Sequence, residues 1–225
     1  MEVKLTPSVS AWLSKYDSRK PSESMQGYAL VKRVMDLALT ILLMPIWLPL
    51  IGLIALGIRV TSPGGPVFFM QQRTGIGGRR FAMFKFRTMV PNAEALKQKY
   101  AHLNELKWPD FKISNDPRIT PIGRLLRRSS LDELPQLFNV LRGEMSLVGP
   151  RPTFFSAESY RLWHTARLDV KPGITGLWQI TVRSTVDWDT RTRLDIAYVD
   201  RRCLMLDLEI LLRTIPTVLT AHGAR

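Results

Sequence analysis

One stretch limits what this chain can fold into. Leu37 to Ile58 gives 22 residues without a formal charge, inside a 225-residue chain of net charge +13. As helix, such a run covers a bilayer core of about 30 Å. It also exceeds what a small domain usually hides, which disfavours a buried core helix. Pro45 and Pro49 sit near its middle. Proline inside a helix removes a hydrogen bond and clashes with the preceding turn, at about 3 kcal/mol or more. The prolines thus predict a break and two arms of about ten residues, each about 15 Å long. Both flanks are basic, Lys32-Arg33 before and Arg59 after, so a single crossing has no clear direction. Two forms satisfy these facts: a hairpin that enters and leaves on one face, and a spanning helix with a proline kink.

The remainder divides around this run. Residues 1–31 are polar and mixed and read as a loosely ordered arm, without the features of a signal peptide. Residues 32–60 form the membrane segment, and residues 61–225 form the domain that carries the chemistry. A sequence pI of about 10.4 calls for an anionic partner: nucleic acid, anionic lipid or a phosphorylated substrate. A nucleic-acid partner would leave the apolar run unexplained, so none is expected. Cys203 is the lone cysteine, and His102, His164 and His222 are scattered, which disfavours a disulfide framework and a zinc enzyme.

Past the turn cluster at Thr61–Pro66, Val67–Arg73 and Arg79–Met89 read as a β-hairpin around Gly75–Gly78, since the phosphate-loop pattern is absent. Alternation in the second strand puts Lys85 and Arg87 on one face. Asn92 to about Lys107 predicts an amphipathic helix, Pro121–Arg128 a short basic one, and Asp132–Arg142 another that stops at Gly143. Val148–Pro152 and Lys171–Gly176 read as rigid loops. Leu204, Leu208, Leu211, Leu212 and Ile215 share a helical face that packs on the core or lies at a membrane surface.

The chemical signal is Asp132-Glu133, an acidic pair with Arg124, Arg127 and Arg128 before it and Arg142 and Arg151 after. Locally, Ser130-Leu131-Asp132-Glu133 also fits a helix capping box. The two readings can coexist, because a carboxylate at a helix N-terminus among arginines stays ionised, as a nucleophile or a Mg²⁺ ligand must. Lys85, Arg87 and Arg151 could orient a diphosphate, and Arg151 is aimed by Pro150 and Pro152 on either side.

Longer motifs accompany the pair. They are Lys32-Arg33-x-x-Asp36, Lys85-Phe86-Arg87-Thr88-Met89, Ser130–Leu141, Met145–Pro152, Pro172–Gln179, Leu194-Asp195-x-x-Tyr198 and Leu206-Asp207-Leu208. In this order, over about 190 residues, they resemble the bacterial sugar transferases, the monotopic phosphoglycosyl transferases of envelope polysaccharide synthesis. The resemblance implies transfer of a sugar-1-phosphate from a UDP-sugar to polyprenol (undecaprenyl) phosphate, giving polyprenol-diphosphate sugar and UMP. It implies Asp132 as a covalent nucleophile, Glu133 in Mg²⁺ and proton handling, and Mg²⁺ held by Asp132 and Glu133. Lys85, Arg87, Arg151, Pro152, Arg183 and Asp207 are the expected substrate-binding residues. The expected fold is α+β and mostly helical. It combines a re-entrant membrane helical hairpin, broken at Pro45 and Pro49, with a small catalytic domain on the cytoplasmic face of the bacterial inner membrane. That domain carries a short β-hairpin and interfacial amphipathic helices. Partners are the UDP-sugar, polyprenol phosphate, membrane lipid and, left open, a second copy of the chain. The alternative is a non-catalytic membrane scaffold of a polysaccharide assembly complex.

Overall fold

A computed structural model describes residues 7–16, 25–105, 113–182 and 186–219. Its helices are α1 (Pro7–Leu13), α2 (Met25–Leu42), α3 (Met44–Thr61), α4 (Pro121–Arg128), α5 (Gln136–Arg142), α6 (Leu177–Thr181), α7 (Trp188–Arg201) and α8 (Leu204–Leu219). The strands are β1 (Phe68–Thr74), β2 (Arg80–Phe86), β3 (Ser146–Val148) and β4 (Gly173–Thr175). The architecture is α+β and mostly helical, as expected.

The apolar run breaks earlier than its prolines suggested. α2 ends at Leu42, Leu43 is the hinge and α3 starts at Met44. Pro45 occupies the first turn of α3, where its missing N–H would have no intrahelical partner anyway. Its ring excludes a continuous helix through residue 41, so the break falls upstream of it. Pro49 does not break α3, which continues to Thr61. The Trp47 indole donates to the Thr40 carbonyl at 2.8 Å, satisfying an end group of α2 from across the hinge.

Both arms return to one body. On α2, Arg33 donates to the Val140 and Leu141 carbonyls at 2.6 and 3.0 Å, and Asp36 accepts from the Leu147 N–H at 3.2 Å. On α3, Trp47, Ile51, Ile54 and Ile58 form a buried stripe at helical spacing against Phe86 and Leu126. The opposite faces stay bare: Val34 is 58% exposed, Ile46 68%, Leu53 67% and Val60 70%. α3 is the one helix among the described residues long and apolar enough to cross a membrane. The stripe on α8 behaves similarly. Leu206 and Ile210 are buried, whereas Leu208, Leu212 and Ile215 are exposed.

The N-terminal arm is more ordered than its composition implied. In its described parts, α1 and the following turn bury Val9, Trp12, Leu13 and Tyr16 in the core formed by α7 and α8. Trp12 and Tyr16 both donate to Glu209 of α8. Four apolar side chains at helical spacing outweigh the polar residues between them.

The β-hairpin forms as expected, with Phe68 opposite Phe86 and Thr74 opposite Arg80. Gly77 and Gly78 supply left-handed backbone at its turn, with φ of 60° and 78°. The helix expected from Asn92 instead forms successive turns and a short 3-10 turn at Ala101–Leu103. Most of its side chains through Glu105 are exposed, so no apolar face supports a longer helix. Residues 106 and 107 lie outside the described part. The two loops expected to be rigid are partners. β3 and β4 pair in parallel, extended by Gly149 N–H donating to the Thr175 carbonyl and Gly173 N–H to the Pro150 carbonyl, both 2.9 Å. A Cβ on Gly173 would lie 2.1 Å from the Gly149 nitrogen, so the crossing needs glycine.

Candidate active site

The Asp132-Glu133 turn is set by the segments around it. α4 opens on Thr120, whose hydroxyl accepts from the Gly123 N–H at 3.1 Å, and carries the chain to Ser129. Ser130 then adopts φ 55°, the only positive φ at a non-glycine among the described residues. Such backbone costs roughly 1–3 kcal/mol and persists only where its surroundings enforce it. Leu131 and Leu134 supply that enforcement by packing against the α3 cluster, which turns the acids between them the other way. Ser130 therefore makes no cap. Leu131–Glu133 is a separate 3-10 turn, and α5 begins only at Gln136, after Pro135. The capping-box reading and the helix start at Asp132 are both corrected.

Glu133 is held from two sides. Lys85 of β2 donates to its Oε1 at 3.0 Å. Arg151 donates through Nη1 to Oε2 at 3.0 Å and through Nη2 to Oε1, a two-point contact. Arg151 is itself fixed: its carbonyl accepts from Arg167 at 2.5 Å, and Arg167 also bonds buried Asp195 at 2.5 Å. Burial pushes Glu133 up, but Arg151 and Lys85 outweigh it and hold the carboxyl far below its usual range.

Asp132 differs. Its one ion-pair contact among the described residues is Lys85 Nζ, at 3.9 Å, and it accepts no hydrogen bond there. Burial raises its pKa; Lys85 counters and Glu133 adds to the rise. Thus Lys85, rather than a helix N-terminus, favours its ionised form. Two adjacent acids in environments that push them apart suit different roles.

Other expected residues scatter. Pro152 lines a cleft beside Arg151, and its carbonyl faces Arg73 Nη1 at 3.4 Å. Arg87 turns away from Lys85. β2 ends at Phe86, and the buried Arg87 guanidinium donates to the Ser62 carbonyl at the C-terminal end of α3, where a cation complements the helix dipole. Asp207 is also remote from the acid pair. It binds Tyr198 OH at 2.6 Å, Tyr28 OH at 2.9 Å and Lys32 at 2.9 Å, joining α8 to α7 and α2. Arg183 lies outside the described residues. The cleft, about 140 Å³ and open to solvent, adds groups that the motifs left without a role: Arg73, Arg167, Arg191, Trp178, Trp188 and Asp195. Asp195 had a readable signal, an acid on a helical face otherwise filled by Leu194 and Tyr198. A buried charge there requires a partner.

Comparison with known proteins fits this arrangement. The pattern of the bacterial sugar transferase family matches residues 27–221. The chain belongs to that family. It is 46% identical over 200 residues to the undecaprenyl-phosphate galactose phosphotransferase of Salmonella typhimurium, covering 86% of this chain and 41% of that one. It is 41% identical to the galactosyl transferase CpsE of Streptococcus agalactiae, covering 88% of this chain and 44% of that protein. Against the exopolysaccharide production protein ExoY of Sinorhizobium fredii it is 40% identical, covering 86% and 87%. The chain thus spans less than half the length of the first two relatives.

Because Lys85 lowers the Asp132 pKa, removing its charge raises it further. In Lys85→Met the Asp132 carboxyl, followed by carbon-13 NMR, titrates at higher pH than in the wild type. An unmoved titration contradicts the assigned electrostatics.

Proposed function

We propose that this chain moves a sugar-1-phosphate from a UDP-sugar to polyprenol (undecaprenyl) phosphate, the initiating step of a surface polysaccharide. The observation that carries this reading is the asymmetry of the acid pair. Glu133 is occupied by Lys85 and Arg151, whereas Asp132 keeps its lone pairs free beside the same lysine. A half-buried carboxylate without hydrogen bonds is a suitable nucleophile. In the first step an Asp132 oxygen bonds to the sugar-bearing phosphorus, and the bond from that phosphorus to the bridging oxygen breaks. The electron pair leaves with UMP. In the second step a phosphate oxygen of polyprenol phosphate attacks the same phosphorus and releases Asp132. The product is a polyprenol-diphosphate sugar. Glu133 positions Lys85 and Arg151 toward the phosphates.

Mg²⁺ belongs to this reading. Among the described residues no group of three or more His, Cys, Asp or Glu gathers, so there is no self-contained cage. Mg²⁺ commonly takes one or two carboxylates and completes its shell with substrate phosphates and water. Asp132 has free oxygens and Glu133 Oε2 has capacity for a further contact, which fits that mode. When bound, the ion neutralises diphosphate charge.

The α2–α3 pair is, in this proposal, a re-entrant hairpin in the bacterial inner membrane, with the acid pair on the cytoplasmic face. Support comes from both arms packing on one body and from the exposed apolar side chains along α2, α3 and α8, the kind of surface that marks an interaction site.

Two measurements test the proposal. Purified protein with polyprenol phosphate, Mg²⁺ and a panel of UDP-sugars releases UMP, and Asp132→Asn lowers that release by at least about 10³-fold, the scale expected for loss of a covalent nucleophile. No release from any donor favours the scaffold alternative, and near-wild-type turnover by Asp132→Asn removes the covalent route. For topology, single cysteines at Val31 and Ser62 in a Cys203→Ser background are labelled by an impermeant reagent from the same side. Labelling from opposite sides contradicts the hairpin.

A further inference from the structure

The cleft beside Arg151 has features that the two-step chemistry leaves unused. Arg151 belongs to both sites, with its guanidinium on Glu133 and its side chain in the cleft wall. In-line displacement sends the leaving group away from the attacking oxygen. With Asp132 on one side of the phosphorus, the leaving nucleotide needs a space next to the acid pair, and the cleft provides one.

Its charge is unbalanced. Among the described residues four arginines line it, with Asp195 as the one carboxylate in its wall. Arg167 pairs through Nη2 with Asp195 and Arg151 pairs with Glu133, while Arg167 Nη1 is a buried donor without a partner among the described residues. Arg73 has only neutral hydrogen-bond partners among the described residues, the Gln71 amide oxygen at 2.5 Å and the Pro152 carbonyl at 3.4 Å. Its Nε is buried without a partner. Burial and neighbouring Arg151 push its pKa down to about 10, with Glu133 acting more weakly in the other direction. A buried donor without a partner is costly, and an arriving anion removes that cost.

The wall is stiff where Arg73 sits. The next residue, Thr74, donates its N–H to the Thr153 carbonyl at 2.9 Å, and Arg80 donates to the Phe154 and Phe155 carbonyls at 3.1 and 3.0 Å. The β-hairpin is thus tied to the segment that follows Pro152. Two indoles, Trp178 and Trp188, also line the cleft. Arg191 lies over Trp178 at 5.7 Å, and Arg167 over Trp188 at 5.1 Å. Flat aromatic surfaces backed by guanidinium groups suit a nucleobase.

We propose that this cleft holds the nucleotide half of the donor, with Arg73 binding the phosphate that departs and the Trp178–Trp188 wall taking the base. The assignment rests on the reading of the chain as a UDP-sugar enzyme and adds where the leaving nucleotide sits. A phosphate ligand of Arg73 could also come from the lipid acceptor, and the test separates the two.

The full chain in detergent is titrated with UMP while tryptophan fluorescence is followed, and initial rates give KM for the UDP-sugar and for polyprenol phosphate. Arg73→Gln weakens UMP binding and raises the donor KM by about tenfold, the loss of one charge-assisted contact, and leaves the polyprenol phosphate KM unchanged. Arg73→Lys loses less. Unchanged UMP affinity in Arg73→Gln overturns the proposal, as does a rise confined to the lipid KM. If Arg73→Gln does not fold, the wild type decides. UMP shields Arg73 from phenylglyoxal in peptide mass mapping, polyprenol phosphate does not, and equal modification with and without UMP overturns the assignment. Should the wild type release no UMP from any donor, the functional reading falls, while the UMP titration still decides on the cleft.

Discussion

Glu133 between Lys85 and Arg151 is the contact on which the site depends. Its three partners come from distant parts of the chain: β2, the turn between α4 and α5, and the segment after β3. An exposed ion pair contributes about 0–1 kcal/mol, and breaking a buried one costs about 3–5 kcal/mol. Glu133 and its partners are partly buried, with side-chain exposures of 17% for both Glu133 and Lys85 and 27% for Arg151. Their stabilising effect therefore lies between those limits. Their larger effect is geometric. Both oxygens of Glu133 carry ion-pair contacts, whereas Asp132 accepts no hydrogen bond among the described residues.

That geometry is inherited from packing some distance away. Leu131 and Leu134 face the α3 cluster, so the apolar helix that the rest of the chain leaves bare on one side also orients the acid turn on the other. Arg33 closes the C-terminal end of α5 and Arg87 the C-terminal end of α3, each cation set against helix carbonyls. Lys32 reaches Asp207. Lys32 and Arg33, at the start of the apolar run, thus anchor it to the body that carries the acid pair.

Much of this was legible in the sequence, for identifiable reasons. The β-hairpin was readable because glycines and alternation are local signals, and α4 because Thr120-Pro121 is a local start. The meeting of Lys85, Asp132, Glu133 and Arg151 followed from long motifs rather than from any spacing rule. Roles decided by distant partners were not legible. Arg87 and Asp207 sit in motifs yet turn to Ser62 and to Tyr28, Tyr198 and Lys32. The Leu43 hinge was missed because prolines were expected to break a helix where they stand, whereas Pro45 starts one. Arg73 gave no signal at all, since only the tertiary fold brings β1 beside Pro152.

In the proposed reaction Asp132, and not Glu133, bonds to phosphorus. Incubating the wild-type protein with a UDP-sugar and Mg²⁺, without polyprenol phosphate, and mapping peptides by mass spectrometry tests it directly. The expected result is a sugar-phosphate adduct on Asp132 that disappears when polyprenol phosphate is added. An adduct on Glu133, or UMP release with no adduct on either acid, would contradict it.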